Sequence, residues 1–133
     1  MKREIIETEG APRLPLPFSQ AVRLGNLVFV SGQGPIDPVT HEVQGDIKAQ
    51  TERMLLNVKA ILEAAGTSLK SVVSTTVYLT DLKNFKAMNE VYVKFFPTDP
   101  PPRATVQAGL LRDMLVEMQC IAGVPEEIRE QGR

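Results

Sequence analysis

The stretch from Asp46 to Gly66 constrains the fold more than any other part of the sequence, because its apolar side chains recur with the period of an α-helix. Asp46 is a suitable N-cap, since its carboxylate can accept a hydrogen bond from a free backbone N–H of the first turn. Gly66 stands where a glycine commonly ends a helix. The helix is predicted to end near Ala65, with one apolar face made of Ile47, Thr51, Met54, Leu55, Val58, Leu62 and Ala65.

The segments around this helix alternate between strand-like and helix-like patterns. Valine and threonine predominate over 71–80, as in a strand, and Gly25 with Asn26 suits the turn of a β-hairpin. The other predicted strands cover 2–8, 19–24, 27–31, 103–108 and 115–124. This order predicts one α+β domain over residues 1–124, with a mixed β-sheet and two helices packed on one face.

A second helix is predicted before the proline-rich stretch. Asp81 or Asn84 could cap it, and it is expected to reach Phe96. Its inward face would consist of Phe85, Met88, Val91, Tyr92 and Phe95. Beyond Val124 the sequence is rich in charged residues, so 125–133 is predicted to be a charged C-terminal tail.

The last two strands can be assigned faces, because side chains alternate along a strand. We expect one set beneath the helices, comprising Ala104, Val106, Ala108, Val116, Met118, Cys120 and Ala122. The opposite face would carry Arg103, Thr105, Gln107, Leu115, Glu117, Gln119 and Ile121. This second face is too mixed for a core, and we predict that it lines a subunit interface in a ring of copies.

Arg103 is the foremost candidate for a functional residue. It follows three prolines, Pro100 to Pro102, which suit the entry to a strand and fix its backbone. A guanidinium binds a carboxylate through two parallel hydrogen bonds. If Glu117 faced the same cavity, the two residues would make a site for small carboxylic acids. Glu117 could instead form an ion pair with Arg103 or Arg112.

The composition argues against several classes of function. The net charge is −1, and no cluster of lysine and arginine with interleaved aromatic residues is present, which argues against a nucleic-acid partner. The sole cysteine, Cys120, and the sole histidine, His41, provide neither a disulfide framework nor a usual metal-ligand cluster. The sequence shows no membrane-spanning run and no secretory signal. We therefore expect a cytoplasmic protein without metal or membrane partner.

Several short stretches occur in an order that is typical of one known family. They are 17–22 (PFSQAV), 25–33 (GNLVFVSGQ), 46–51 (DIKAQT), 75–81 (TTVYLTD), 88–92 (MNEVY), 102–105 (PRAT) and 116–118 (VEM). No one of them is specific alone, whereas together they are. On these stretches, which lie between about residues 3 and 124, the chain resembles the YjgF/RidA (reactive intermediate deaminase) family.

The resemblance implies a chorismate-mutase-like fold and a homotrimer with clefts between its subunits. It also implies hydrolysis of 2-imino acids and their 2-enamino tautomers, such as 2-iminobutanoate and 2-iminopropanoate, to 2-keto acids and ammonia. No cofactor is implied. Activity as an endoribonuclease or translation inhibitor is also known in the family. A non-catalytic sensor that binds 2-keto acids in the same cleft is a third possibility.

The resemblance also implies roles for particular residues. The carboxylate-binding arginine of the family falls on Arg103, and the acidic residue near the catalytic water falls on Glu117. The remaining substrate-binding positions fall on Phe18, Ser31, Asn89 and Thr105. Many relatives have tyrosine where this chain has Phe18 and cysteine where it has Thr105. Taken without the resemblance, Ser31 could equally bond the backbone of 32–34, and Asn89 could bond backbone across an interface.

Overall fold

One mixed sheet carries both helices on the same face. The computed structural model describes residues 2–125, so the predicted tail lies, except for Pro125, outside the described residues. The described strands are β1 (Arg3–Ile6), β2 (Ala21–Leu24), β3 (Leu27–Gln33), β4 (Val72–Leu79), β5 (Arg103–Gln107) and β6 (Val116–Gly123), and the helices are α1 (Ile47–Ala64) and α2 (Phe85–Phe95). The strand order β1-β2-β3-β6-β4-β5 confirms the predicted α+β class and mixed sheet.

Helix α1 forms for the reasons that its sequence suggests. The Asp46 carboxylate accepts a hydrogen bond from the Ala49 backbone N–H at 2.9 Å, and Gly66 adopts a φ of +87°. The side chains on the apolar face of α1 are buried against the sheet, and burial of each contributes roughly 1.5–3 kcal/mol. Within residues 2–125, neither helix combines the length and the apolar character needed to cross a membrane.

The core lies between the helices and one face of β3, β4 and β6. Its strand side chains are Val28, Val30, Val77, Leu79, Val116, Met118, Cys120 and Ala122, all buried. The alternation predicted for β6 is therefore confirmed. Cys120 is a buried side chain in this layer, and burial raises the pKa of its thiol to about 12. It therefore behaves as an apolar filler rather than as a nucleophile.

The faces predicted for β5 are wrong. β5 pairs in parallel with β4 and places Arg103 beside Thr75, which is buried beneath α2. Arg103 and Thr105 therefore point toward the helices, whereas Ala104 and Val106 are exposed on the other face. The reason is that β5 is an edge strand, where apolar side chains need not be core residues. A shift of one residue in register exchanges the two faces.

Helix α2 connects β4 to β5 and begins after a short 3-10 turn (Leu82–Asn84). Asp81 caps this turn, since its carboxylate accepts a hydrogen bond from the Lys83 backbone N–H at 2.9 Å. Met88, Val91 and Tyr92 are buried as predicted, and Phe95 is partly buried. Phe85, which was expected to face inward, is instead exposed. Its ring lies over Arg103 rather than in the core.

The face of the sheet opposite the helices, here called the open face, is uncovered by any helix of residues 2–125. It bears Ile5, Val22, Phe29, Ser74, Thr76, Tyr78, Ala104, Val106, Glu117, Gln119 and Ile121. Several of its apolar side chains are accessible to solvent: Ile5 is 48% exposed, Phe29 40% and Val106 41%. Exposed apolar side chains grouped on one face of a sheet are typical of a surface that another chain covers.

Candidate active site

Two aromatic rings of α2 surround the side chain of Arg103. The Cζ atom of Arg103 lies 4.6 Å from the centroid of the Tyr92 ring and 5.6 Å from that of Phe85. The negative faces of both rings attract the guanidinium. Among the described residues, no carboxylate forms an ion pair with Arg103. The rings therefore position a cation that has no carboxylate partner in this part of the chain.

The ring of Tyr92 is itself fixed from two sides. Its hydroxyl lies 2.9 Å from Oγ1 of Thr75, and its ring centroid is 4.7 Å from that of Phe96. Burial raises the pKa of Tyr92, while the hydrogen bond with Thr75 and the charge of Arg103 act in the opposite direction. The side chain of Tyr92 therefore keeps its phenolic proton, and its neutral ring packs against Arg103.

Two further predicted residues lie near Arg103. Asn89 is half-buried on α2, four residues after Phe85 and three before Tyr92, and so shares their side of the helix. Thr105 is half-buried on β5 and, two residues after Arg103, points to the same face. We call Phe85, Asn89, Tyr92, Arg103 and Thr105 the arginine group.

Glu117 lies on the open face, beside Tyr78 of β4, with its carboxylate against the backbone of Gly32. A Cβ atom at position 32 would be only 2.3 Å from Oε2 of Glu117, so glycine leaves the space that the carboxylate occupies. The register of β3 against β6 shifts between Val30 and Gln33. Such irregularities re-aim side chains near functional sites. This irregularity, a β-bulge between Val30 and Gln33, therefore contributes to the placement of Gly32 against Glu117.

Burial raises the pKa of the Glu117 carboxyl, and no positive charge among the described residues opposes this effect. Within residues 2–125, Glu117 forms an ion pair with neither Arg103 nor Arg112. The Arg112 guanidinium instead donates a hydrogen bond to the His41 carbonyl oxygen at 2.5 Å. A partly desolvated carboxylate that has no counterion in this part of the chain binds a proton more readily than an exposed one, which suits it to exchange protons.

Ser31 lies at the same bulge, and its hydroxyl forms hydrogen bonds with Gln20 and Gln33. Its hydroxyl donates a hydrogen bond to the Gln20 carbonyl oxygen at 3.0 Å and accepts one from Nε2 of Gln33 at 3.2 Å. Of the alternatives considered above, bonding to the backbone of 32–34 is therefore wrong. The hydroxyl instead joins β3 to the residue that precedes β2.

Phe18 precedes β2 and is 55% exposed. It lines a cleft of about 450 Å³ together with Gly32, Gly34 and Ile36. The cleft thus brings Phe18 near the glycine against which Glu117 packs. We call Phe18, Ser31, Gly32 and Glu117 the glutamate group.

The sheet separates the two groups within one chain. Arg103 points to the helix-covered face and Glu117 to the open face, and β4 lies between their strands. The expectation that both face one cavity is therefore wrong for a single chain. No cluster of three histidine, cysteine, aspartate or glutamate side chains within residues 2–125 could hold a metal ion.

Sequence reasoning missed the contributions of Gly32 and of the aromatic rings. A glycine inside a strand pattern is a known indication of a bulge or of close backbone approach, and Gly32 follows such a pattern. The spacing of Phe85 and Tyr92 fits one helix face and predicts core positions, which is correct for Tyr92 and wrong for Phe85. No signal in the sequence indicated that this face would meet Arg103, since the contact depends on the register of β5.

Comparisons with known proteins agree on one family. The model of the family described as Endoribonuclease L-PSP matches residues 8–124. A RutC family protein of Pyrococcus abyssi is 53% identical over 124 residues, which cover 92% of this chain and 98% of the relative. Reactive Intermediate Deaminase A, chloroplastic, of Arabidopsis thaliana is 44% identical over 124 residues, which cover 92% of this chain and 66% of the relative. The crystal structure of E. coli TdcF with bound serine has a TM-score of 0.87 at 43% identity and covers 90% of this chain and 98% of its own.

Proposed function

Because the chain belongs to the YjgF/RidA family, we propose that it is a deaminase that hydrolyses reactive 2-imino acids and their 2-enamino tautomers to 2-keto acids and ammonia. The expected substrates are of the 2-iminobutanoate and 2-iminopropanoate type. The deaminase name of the Arabidopsis relative and the amino acid bound in the TdcF crystal structure support a small amino-acid-like ligand.

The environment of Arg103 is the observation that carries the proposal. A guanidinium that packs on the rings of Tyr92 and Phe85 has lost much of its side-chain freedom before any ligand binds. It also lacks a carboxylate partner within the described residues. An anion with a planar carboxylate would supply that partner through two parallel hydrogen bonds. We infer that Arg103 binds the carboxylate of the substrate and fixes the imine carbon.

The opposite placement of Arg103 and Glu117 leads us to propose a site shared between two copies of the chain. The arginine group of one copy would face the glutamate group of its neighbour. The accessible apolar side chains of the open face, among them Phe29 and Val106, support burial of this face in an assembly. We propose a homotrimer, in which each junction between neighbours contains one such site.

In the proposed reaction, Glu117 removes a proton from water as the oxygen attacks the carbon of the protonated imine. The C=N π electrons move to nitrogen and give a tetrahedral amino alcohol. Glu117 returns the proton to nitrogen, the C–N bond breaks, and the hydroxyl proton passes to the departing ammonia as the keto group forms. General acid–base catalysis of this kind contributes about 10²–10⁴-fold. The raised pKa of Glu117 supports this role.

The remaining predicted residues have binding roles in this proposal. Phe18 would pack on the substrate side chain from its cleft, which excludes water from that side. Thr105 and Asn89 would contact the part of the substrate next to Arg103. The hydroxyl of Ser31 is already bonded to Gln20 and Gln33, so we assign it mainly to the shape of the bulge beside Gly32.

A coupled assay tests the proposal. A serine/threonine dehydratase releases the imine, semicarbazide traps it, and the semicarbazone is followed by absorbance. We expect the protein to lower the semicarbazone yield and Arg103→Ala to abolish this effect. Arg23→Ala is the matched control, because Arg23 is also a half-buried strand arginine, and within residues 2–125 its side chain bonds only the Gly25 and Ala65 carbonyl oxygens. Equal activity of Arg103→Ala and wild type would contradict the proposed role.

The same experiment separates the alternatives. A non-catalytic sensor would bind 2-keto acids in an Arg103-dependent manner and leave the semicarbazone yield unchanged. An endoribonuclease would cleave RNA with a strong dependence on salt. The structure offers this function little support, since His41 lies in an exposed turn and belongs to neither the arginine group nor the glutamate group.

A further inference from the structure

Two buried amide side chains lie on the apolar face of α1. Gln50 is 4% exposed and Asn57 is fully buried. They are seven residues apart, so both point to the same side of the helix. Burial of an amide without hydrogen bonds costs about 1–3 kcal/mol, which makes their partners informative. Each amide bonds the backbone of a segment that leads to the glutamate group.

Asn57 binds the segment that follows β3. Its Nδ2 donates hydrogen bonds to the carbonyl oxygens of Gly34 at 3.0 Å and of Ile36 at 2.9 Å. Its Oδ1 accepts from Nη2 of Arg53 at 3.0 Å, which fixes the orientation of the amide. Gly34 is two residues beyond Gly32. Asn57 therefore ties the chain next to Gly32 to α1.

Gln50 binds the segment that enters β6. Its Oε1 accepts a hydrogen bond from the Leu115 backbone N–H at 2.8 Å, and its Nε2 donates to the Gly45 carbonyl oxygen at 3.0 Å. Leu115 is two residues before Glu117. The segments held by the two amides also meet directly, since a Cβ at Gly34 would lie within 2.2 Å of the Sδ of Met114. One helix thus fixes both sides of the contact between Gly32 and Glu117.

We propose that Gln50 and Asn57 are positioning residues that hold the Glu117 carboxylate in its partly desolvated place against Gly32. This inference rests on the proposed function only in so far as Glu117 is the catalytic acid and base. Neither amide touches the substrate. They act through the backbone at Leu115 and Gly34, and they set how deeply the carboxylate is buried.

Within the described chain, few charged groups could obscure this effect. Arg103 of the neighbouring copy, which the proposed site brings to Glu117, is present in the wild type and in every variant and therefore acts on all of them alike. Across the open face, Tyr78 is the only ionisable side chain on β4, β3 carries none, and β6 adds only Cys120, which points to the other face. The burial of Glu117 thus dominates its proton affinity in the described chain. Displacement of the carboxylate toward water should therefore lower its pKa toward the ordinary value of a glutamate.

The test is a carbon-13 NMR titration of the glutamate carboxyl groups, with Glu117 assigned by its loss in Glu117→Gln. Gln50→Met removes the acceptor for Leu115 at similar volume. Asn57→Leu removes both donors at similar volume and adds no charge. We expect the Glu117 pKa to fall in each variant and kcat to drop about tenfold or more, with KM changed less than about twofold.

Thr51→Val is the matched control. Thr51 is equally buried on α1, and its hydroxyl donates only to the Ile47 carbonyl oxygen of the same helix, at 2.7 Å. This variant should leave both the Glu117 pKa and kcat unchanged. If Gln50→Met and Asn57→Leu fold but retain the wild-type titration and kcat, the positioning role is refuted. If their titrations shift while the wild type itself has no deaminase activity, the positioning stands and the proposed function fails.

A measurement on the wild type covers the case in which the variants do not fold. The Leu115 amide should exchange with deuterium as slowly as the amides of Val116–Gly123, because Gln50 accepts its hydrogen bond. Rapid exchange at Leu115 beside a protected β6 would mean that Gln50 does not hold this segment, and the inference would be overturned.

Discussion

Arg103 and Glu117 lie on opposite faces of one sheet, with β4 between the strands that carry them. The sheet therefore prevents the two side chains of one chain from contacting the same small molecule. If catalysis needs both, the two residues must come from different copies. On the proposed mechanism, activity would therefore depend on assembly of the chain.

Complementation between inactive variants follows from this placement. Arg103→Ala and Glu117→Ala homomers should each be inactive. When the two are co-expressed in equal amounts, random mixing leaves both residues intact at about one junction in four, so about a quarter of wild-type activity should return. Differently tagged chains allow the mixed oligomers to be isolated before the assay. Absence of any recovery in verified mixed oligomers would contradict a shared site.

Gly32→Ala should impair catalysis more than it impairs folding. The new Cβ would fall 2.3 Å from Oε2 of Glu117, the flexible end of a side chain that can turn away. Displacing a catalytic group by about 1 Å can cost about 10²-fold, and we expect a loss of kcat of that order. Gly109→Ala is the control, since its Cβ would meet nothing within 4 Å. Thermal unfolding of both variants should remain close to that of the wild type. A Gly32→Ala variant with full kcat would show that the contact is dispensable.

Tyr92 should contribute to ligand binding through its ring rather than through its hydroxyl. Tyr92→Phe removes the hydrogen bond with the buried Thr75 and should cost about 1 kcal/mol of stability, with 2-keto acid affinity unchanged. Tyr92→Leu removes the ring beneath Arg103 and should weaken affinity about tenfold. Calorimetric titration with a 2-keto acid measures both. Phe96→Leu, which alters the ring that packs on Tyr92, should leave affinity largely intact.

In the Arg103→Ala background, which removes the cation that the proposed site brings to Glu117, Glu117→Gln should stabilise the folded protein at pH values above the folded-state pKa of Glu117. The folded-state pKa of Glu117 lies above its unfolded value because of burial, so ionisation disfavours the folded state. The contribution of Glu117 to stability is fully present below its unfolded pKa and is lost as pH rises through the folded pKa. The amide of glutamine does not ionise. The gain in Tm should therefore be largest above the folded-state pKa of Glu117 and vanish below its unfolded pKa; a gain that grew as pH fell would contradict this account.

Local features of the sequence were sufficient for most of the fold. The capping of α1 by Asp46, the turn at Gly25 and Asn26 and the alternation of β6 all depend on neighbours in the chain, and each is confirmed. Prediction failed at β5, where apolar residues on an edge strand could not indicate the buried face. Prediction also failed at Phe85. Its spacing from the other apolar residues of α2 is that of a core residue, but its ring lies over Arg103.

The sequence by itself determined the elements, the buried side of α1 and β6, and the identity of the two principal candidates, Arg103 and Glu117. These follow from periodicity, capping and residue chemistry, which act over a few residues. Only the tertiary structure decided that the candidates lie on opposite faces, that aromatic rings surround Arg103, and that Gly32 makes room for Glu117. The register between strands decides which face each side chain occupies, and the contact of α2 with the edge strand β5 brings the rings to Arg103. Both arise from packing between distant segments, because a shift of one residue would reverse every side chain of the strand.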